Sequence, residues 1–244
     1  MIEAWGITDK GAVRPQNQDC FYLRQVGEEL LTAIVCDGMG GHRAGNVASA
    51  LAVDVASAYL ESLTPEELVE APKDHLVRGV NLSNEAVFRK AAQEPECRGM
   101  GTTMVSTIVE KTRVWLLNIG DSRAYHIGQN GITKISRDHS VVEDLVYRGE
   151  LTPEEARLHP QKNLITRALG SDMKAQPDLY EVEVKLGDYL LLCSDGLSNT
   201  LTDQEMLYEI LHGGLRETCC QRLMDQALLR GATDNVTIVL IYIG

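Results

Sequence analysis

An α+β fold, built from largely antiparallel sheets covered by helices, is what this sequence predicts, on three observations. Apolar stretches of strand length come in pairs joined by short turns, a spacing that suits hairpins and excludes helical crossovers. Helical periodicity is confined to two blocks, 44–92 and 202–229. Between them, four strand-like runs follow one another with no helix interposed.

The elements follow in order. Residues 2–8 alternate weakly and form a first strand, after which Thr8-Asp9-Lys10-Gly11 turns the chain toward Arg14-Pro15-Gln16-Asn17-Gln18-Asp19. Cys20–Val26 and Leu30–Cys36 are strands on either side of a Gly27-Glu28-Glu29 turn, and the second is apolar enough to be buried. Over 44–60, Val47, Ala48, Leu51, Ala52, Val55, Ala58 and Tyr59 recur at helical spacing. Thr64-Pro65-Glu66-Glu67 starts another helix, with a capping threonine, proline in the first position and a glutamate closing the box. A third helix over 73–92 turns Leu76, Val80, Ala86 and Val87 inward, and 94–100 is a loop.

Strands over 101–109, 113–118, 122–127 and 132–135 then read as a meander. Residues 137–170 are polar, carry short helix signals at 140–148 and at Thr152-Pro153-Glu154-Glu155, and join two sheet regions. A long insertion of this kind is a functional flap or an interaction segment. Strands return at 180–184 and 188–193, helices at 202–211 and 215–229, and 236–243 is the closing strand. No repeat, low-complexity tract or linker divides the chain, so residues 1–244 read as a single domain with a flap subdomain at 137–170.

Charge narrows the function. With 23 basic against 35 acidic residues the net charge is −12, which argues against nucleic acid as the main ligand because backbone phosphates demand clustered Lys and Arg. Cys36 and Cys193 sit in apolar runs and read as buried thiols; adjacent Cys219 and Cys220 read as packing residues of a helix. The opening MIEAWGITDKG lacks the basic start and apolar core of a signal peptide, and no apolar run reaches the ~20 residues of a membrane span. A cytoplasmic location is the expectation.

Chemistry concentrates at strand ends. The apolar run Leu30–Cys36 leads into Asp37, with glycines at 38, 40 and 41 behind it, a pattern expected to turn sharply and hold the carboxylate out of the sheet. Tyr189–Ser194 leads likewise into Asp195-Gly196, Trp115–Gly120 into Asp121, and Asp234-Asn235 precedes Val236–Val239. Asp-Gly alone is a common turn, but four aspartates at apolar strand ends form a cluster that, if the ends meet, requires cations. Asp19, Asp37, Asp121, Asp195 and Asp234, with the Gly38 carbonyl, are hard oxygen donors suited to Mg²⁺ or Mn²⁺. Two cations sharing a carboxylate would hold a water or hydroxide between them, acidic enough to attack a phosphate ester. Gly38–Gly41 lacks the GxxxxGK[ST] and GxGxxG patterns, so nucleotide binding is not indicated. Arg14 can bind a phosphoryl group bidentately, and His42 can protonate a leaving alkoxide. His139 and His159, within the flap, read as structural or peripheral.

Taken together, RPQNQD (14–19), VCDGMGGHRAG (35–45), GTTMV (101–105), NIGDSRAY (118–125), SRDHS (136–140), HPQKNLITRALG (159–170), LLLCSDGL (190–197) and ATDNVTIVL (232–240) resemble the metal-dependent Ser/Thr protein phosphatases of the PPM, or type 2C, family in its bacterial form. The resemblance implies a four-layer αββα sandwich of two antiparallel sheets and hydrolysis of phosphoserine and phosphothreonine. It implies that Asp37 bridges two metals, that Gly38 offers its carbonyl to one, and that Asp195 and Asp234 bind the other. Asp19 would act through a water, and Asp121 with Asp195 would hold a weaker third cation. Arg14 would grip the substrate phosphate and His42 act as general acid. Gln18 departs from the glutamate found in many members, while Asp19 is kept. The implied partners are phosphoproteins, targets of a cognate kinase, met by a monomer. A phosphatase for phosphotyrosine or small phosphoesters would share this core, and a non-catalytic binding module would have lost an aspartate.

Overall fold

The structure, a computed structural model, describes residues 1–40 and 44–244. Strands β1 (Ile2–Asp9), β2 (Asp19–Gln25) and β3 (Leu30–Met39) precede helices α1 (Ala44–Glu61), α2 (Pro65–Glu70) and α3 (Pro72–Gln93). Next come β4 (Gly101–Thr102), β5 (Met104–Glu110), β6 (Arg113–Ile119), β7 (Arg123–Gly128) and β8 (Gly131–Lys134). Segment 137–170, expected to be a flap, contributes α4 (Val141–Tyr147) and α5 (Pro153–Leu158). The chain finishes with β9 (Asp178–Glu183), β10 (Tyr189–Cys193), α6 (Asp195–Ser198), α7 (Asp203–His212), α8 (Cys219–Leu229) and β11 (Val236–Ile243).

Two antiparallel sheets form, one ordered β1-β11-β10-β7-β8 and the other β2-β3-β5-β6-β9, with β4 paired to β3. Side-chain alternation accounts for the layers. In β3, Leu31, Ala33 and Val35 enter an apolar layer shared with Leu190, Leu192, Val239 and Ile241 of the facing sheet. Leu30, Ile34 and Cys36 point the other way and pack with Ala48, Ala52 and Val80 of α1 and α3. The first sheet is covered in the same manner: Leu191, Cys193, Ile238 and Leu240 meet Met206, Leu223 and Met224 of α7 and α8. Burial on both faces is why these strands read as unbroken apolar runs, and it yields the expected αββα layers. The threonine signals read at Thr64 and Thr152 form caps, each accepting a helix N–H while a glutamate three residues on reaches back, and Thr202 caps its helix in the same way.

Three expectations need correction. Strand β3 does not end before Asp37; it runs to Met39, and Asp37 is a strand residue directly opposite Asp19 of β2. The 101–109 run is broken after Thr102, because Gly101 and Thr102 pair with Met39 and Gly38 while Met104 onward pairs with β6. The meander also divides: β6 belongs to one sheet and β7 to the other, so the turn at Gly120-Asp121 crosses between layers and makes no hairpin. Sequence spacing alone cannot separate these cases, since a sheet change and a hairpin use turns of equal length.

The register decides where the carboxylates go. Asp19 opens β2 opposite Asp37 near the end of β3. Asp121 follows β6, Asp195 follows β10, and Asp234 precedes β11, whose Ile238 pairs with Cys193. In an antiparallel array these starts and ends fall on one edge of the sandwich.

Candidate metal centre

Along that edge, Asp37, Asp121, Asp195 and Asp234 line one cavity of about 250 Å³, together with Arg14, Gly38, Thr103, Asn163 and Ile165. Four of the six sequence-predicted ligands are therefore brought together as side chains, with Gly38 between them. Asp19 sits below the cavity: Ser194 Oγ and Thr237 Oγ1 each donate to its Oδ2 at 2.7 Å. Thr237 Oγ1 also lies 2.7 Å from Thr8 Oγ1, so β1, β11 and Ser194, the residue after β10, form one hydroxyl network with Asp19. His42, the expected general acid, lies outside the described residues.

Backbone bonds hold the Asp37 strand end. Its N–H donates to Thr103 Oγ1 at 2.9 Å, and its carbonyl accepts Thr103 N–H at 2.9 Å and Thr102 Oγ1 at 2.8 Å. Thr103 Oγ1 lies 2.7 Å from Ser122 Oγ, which links the Asp37 strand to the residue after Asp121. Gly38 is demanded by crowding: a Cβ there would lie 2.6 Å from the Gln18 carbonyl oxygen and closer still to that of Gly45. On the other side, Asn235 accepts Gln18 N–H at 2.8 Å and donates to the carbonyls of Lys10 and Gln16. Sequence reasoning gave no role to Thr103, Ser122, Ser194, Asn235 or Thr237. The signal available was polar side chains beside or within otherwise apolar strands, which are buried here and therefore bonded.

Electrostatics follow from that crowding. Burial pushes the Asp19 carboxyl up to about 7, against the two hydroxyl bonds that favour its anion. Asp195 is raised to about 6, chiefly by burial and then by Asp234, with Arg123 opposing. Asp37 is held well above the ordinary carboxylate range by burial and then by the charges of Asp19, Asp195, Asp121 and Asp234. Asp121 is raised likewise, by burial and then by Asp195 and Asp138. Asp19 Oδ1 and Asp195 Oδ1 are buried with no hydrogen-bond partner among the described residues. Packed carboxylates with orphaned oxygens are the donor set of a hard divalent cation, so the residues fit the expected metal.

Asp234 is placed differently. Arg14 Nη2 donates to its Oδ2 at 2.6 Å and Asn235 N–H to its Oδ1 at 2.9 Å. Among the described residues no three acidic, His or Cys side chains are already closed into a ligand cage. Arg14 is itself exposed, and its bond to Asp234 raises its pKa further.

Comparison with known proteins fixes the lineage. The model of the family "Protein phosphatase 2C" matches residues 12–229. The chain belongs to the protein phosphatase 2C family. It is 40% identical over 232 residues to the serine/threonine protein phosphatase PstP of Mycobacterium tuberculosis, covering 95% of this chain and 43% of that protein. The chain thus spans less than half the length of that relative. The crystal structure of the phosphatase Stp1 from Staphylococcus aureus superposes with a TM-score of 0.94 at 38% identity, over 100% of this chain and 96% of that one. The catalytic domain of PstP in complex with 2 manganese ions superposes with a TM-score of 0.85 at 35% identity, over 99% and 97% of the two chains. The expected family and αββα fold are both borne out, and metal dependence agrees with the manganese in that relative.

Proposed function

We propose that this protein phosphatase 2C member hydrolyses phosphoserine and phosphothreonine esters of proteins with bound Mn²⁺ or Mg²⁺. The observation that carries the reading is the gathering of aspartates from separate strand ends at one edge, two of them with a buried oxygen that has no partner among the described residues. Asp37 would be shared by two core ions, the Gly38 carbonyl serving one and Asp195 with Asp234 the other. Asp19 would act through water, and Asp121 with Asp195 would hold a weaker third ion. When bound, the ions supply positive charge to the phosphoryl oxygens and acidify the attacking water.

The chain's own groups do the rest. Arg14 spends one guanidinium nitrogen on Asp234, and its remaining donors can take phosphate oxygens at the cavity mouth. His42 is the proposed proton donor to the departing serine or threonine oxygen. Asn163 and Ile165 of segment 137–170 line the cavity, which supports a flap that reads the protein around the phosphorylated residue. Among the described residues no helix is long and apolar enough to cross a membrane. All six cysteines are free thiols, which suits a reducing compartment. The reading extends to a cytoplasmic monomer acting as one catalytic domain over residues 1–244, opposite a Ser/Thr kinase.

Purified protein with Mn²⁺ is expected to hydrolyse p-nitrophenyl phosphate, and Asp195→Ala to reduce turnover at least about a hundredfold. EDTA should remove the activity; undiminished turnover in EDTA overturns the metal reading. Comparing phosphothreonine with phosphotyrosine peptides tests the substrate, and a tyrosine preference overturns that part.

Stability should report the same cluster. Asp19 and Asp195 have folded pKa values of about 7 and 6 against an ordinary 3.8. Their protonated forms favour the fold, so this contribution is complete below the ordinary value and lost as pH rises through 6 and 7. Metal-free protein is expected to melt at progressively lower temperature between pH 5 and about 8, and Mn²⁺ at a hundred times its Kd to restore roughly 5–10 °C at the upper end. Calorimetric scans across that range, with and without Mn²⁺, check both signs.

A further inference from the structure

His139, read from sequence as structural or peripheral, opens the flap in Ser136-Arg137-Asp138-His139-Ser140 and is 4% exposed. It does not wall the carboxylate cavity. Its contacts reach the turn that carries Asp121. The His139 N–H donates to the Gly120 carbonyl at 2.9 Å, and Gly120 N–H donates to His139 Nδ1 at 3.1 Å. The His139 carbonyl accepts Thr166 N–H at 2.8 Å, at the far end of the flap.

These bonds fix the tautomer. A backbone amide can only donate, so Nδ1 keeps its lone pair and the proton is on Nε2. Nε2 lies 3.1 Å from Asp178 Oδ2, an acceptor that suits this proton. Arg167 Nη1 is 3.2 Å from the same nitrogen, donor against donor, and its own bond goes to Asp178 Oδ1 at 3.1 Å. Burial lowers the imidazole below its ordinary pKa, which favours this neutral form.

Gly120 is clamped from the other side as well. Its φ is +107°, and a Cβ there would lie 2.6 Å from Thr103 Cβ. Thr103 is the residue whose hydroxyl accepts Asp37 N–H. The Gly120 turn therefore lies between the Asp37 strand and His139.

We propose that His139 is a positioning residue: through Gly120 it sets the turn that presents Asp121 to the metal cavity, and through Thr166 and Asp178 it ties that turn to the end of the flap and to the start of β9. This rests on the reading of Asp121 as a metal ligand. A histidine that merely filled space would tolerate loss of its Nδ1 acceptor.

The test compares His139→Leu, His139→Asn and His139→Gln with the native chain in three measurements. These are amide exchange of Gly120 in metal-free ¹⁵N-labelled protein, Mn²⁺ binding by calorimetry, and kcat with KM on p-nitrophenyl phosphate. The asparagine oxygen can stand where Nδ1 stands; the glutamine amide reaches the Nε2 position instead. His139→Leu and His139→Gln are expected to speed Gly120 exchange, relative to the buried strand amide of Leu116, and to weaken Mn²⁺ binding by about tenfold, lowering kcat more than raising KM. His139→Asn should restore most of each. If His139→Leu does not fold, the asparagine and glutamine pair carries the comparison. Equal Gly120 exchange in all chains overturns the proposal whatever Asp121 does, and so does equal behaviour of Asn and Gln. Asp121→Asn provides the separate arm: unchanged Mn²⁺ binding there overturns the ligand reading of Asp121, whatever His139 does to Gly120.

Discussion

Asp37→Asn is expected to lose activity on the order of a thousandfold while raising the melting temperature of metal-free protein by several degrees. The two effects share one cause. Asp37 stands opposite Asp19 in the β2–β3 register and shares its cavity with Asp121, Asp195 and Asp234. Like charges placed directly across a strand pair repel, and burial strengthens the repulsion. Its carboxyl is accordingly held well above the ordinary range, so near neutral pH the ionised form opposes folding. An amide of the same shape removes that charge and keeps the Asp37 backbone bonds to Thr102 and Thr103. It also removes the charged oxygen that two cations would share, so the rise in melting temperature with Mn²⁺ should nearly vanish. Scans at pH 7.5 with EDTA and with Mn²⁺ measure both, alongside turnover. A variant that melts lower than the native chain without metal contradicts the repulsion account.

Gly196→Ala should be a highly damaging small substitution outside the carboxylates, costing about 3 kcal/mol or more. Gly196 follows Asp195 in α6, and a Cβ there would overlap the Asn235 carbonyl oxygen and lie 2.9 Å from its carbon. These are backbone atoms, which no rotamer change can move aside. Asn235 also anchors Gln16 and Gln18 through its side chain, so displacement would spread to the Arg14 loop and to Asp234. Mn²⁺ affinity should fall with stability. Gly79→Ala is the control: in α3 its Cβ would meet nothing nearer than 3.8 Å, and replacing a helical glycine should stabilise by roughly 0.5–1 kcal/mol. Urea unfolding of both variants distinguishes local crowding from a general intolerance of glycine substitution.

Segment 137–170 and the core differed in how well they could be read. The strand bounds 236–243 agree with β11 to the residue, because eight consecutive residues with seven buried leave little else for the segment to do. Residues 137–170 have few apolar anchors, and their two short helices, α4 and α5, follow local capping signals at Ser140 and Thr152. What ties the segment down is bonding to distant backbone, such as Leu169 N–H to the Thr102 carbonyl at 2.8 Å. No local pattern announces a bond of that kind.

The sequence by itself determined the inventory: which runs are strands, which helices cover them, and which carboxylates stand at strand ends. Those are local properties, set by side-chain periodicity and turn chemistry. Only the tertiary structure decided that Asp37 faces Asp19 inside a strand pair, that Gly120 changes sheets, that Arg14 spans to Asp234, and that buried hydroxyls hold Asp19. Each depends on register and on partners up to 220 residues away, the Arg14–Asp234 separation. Pairing across the sandwich is settled by which faces can be buried together, and that is a property of the assembled sheets.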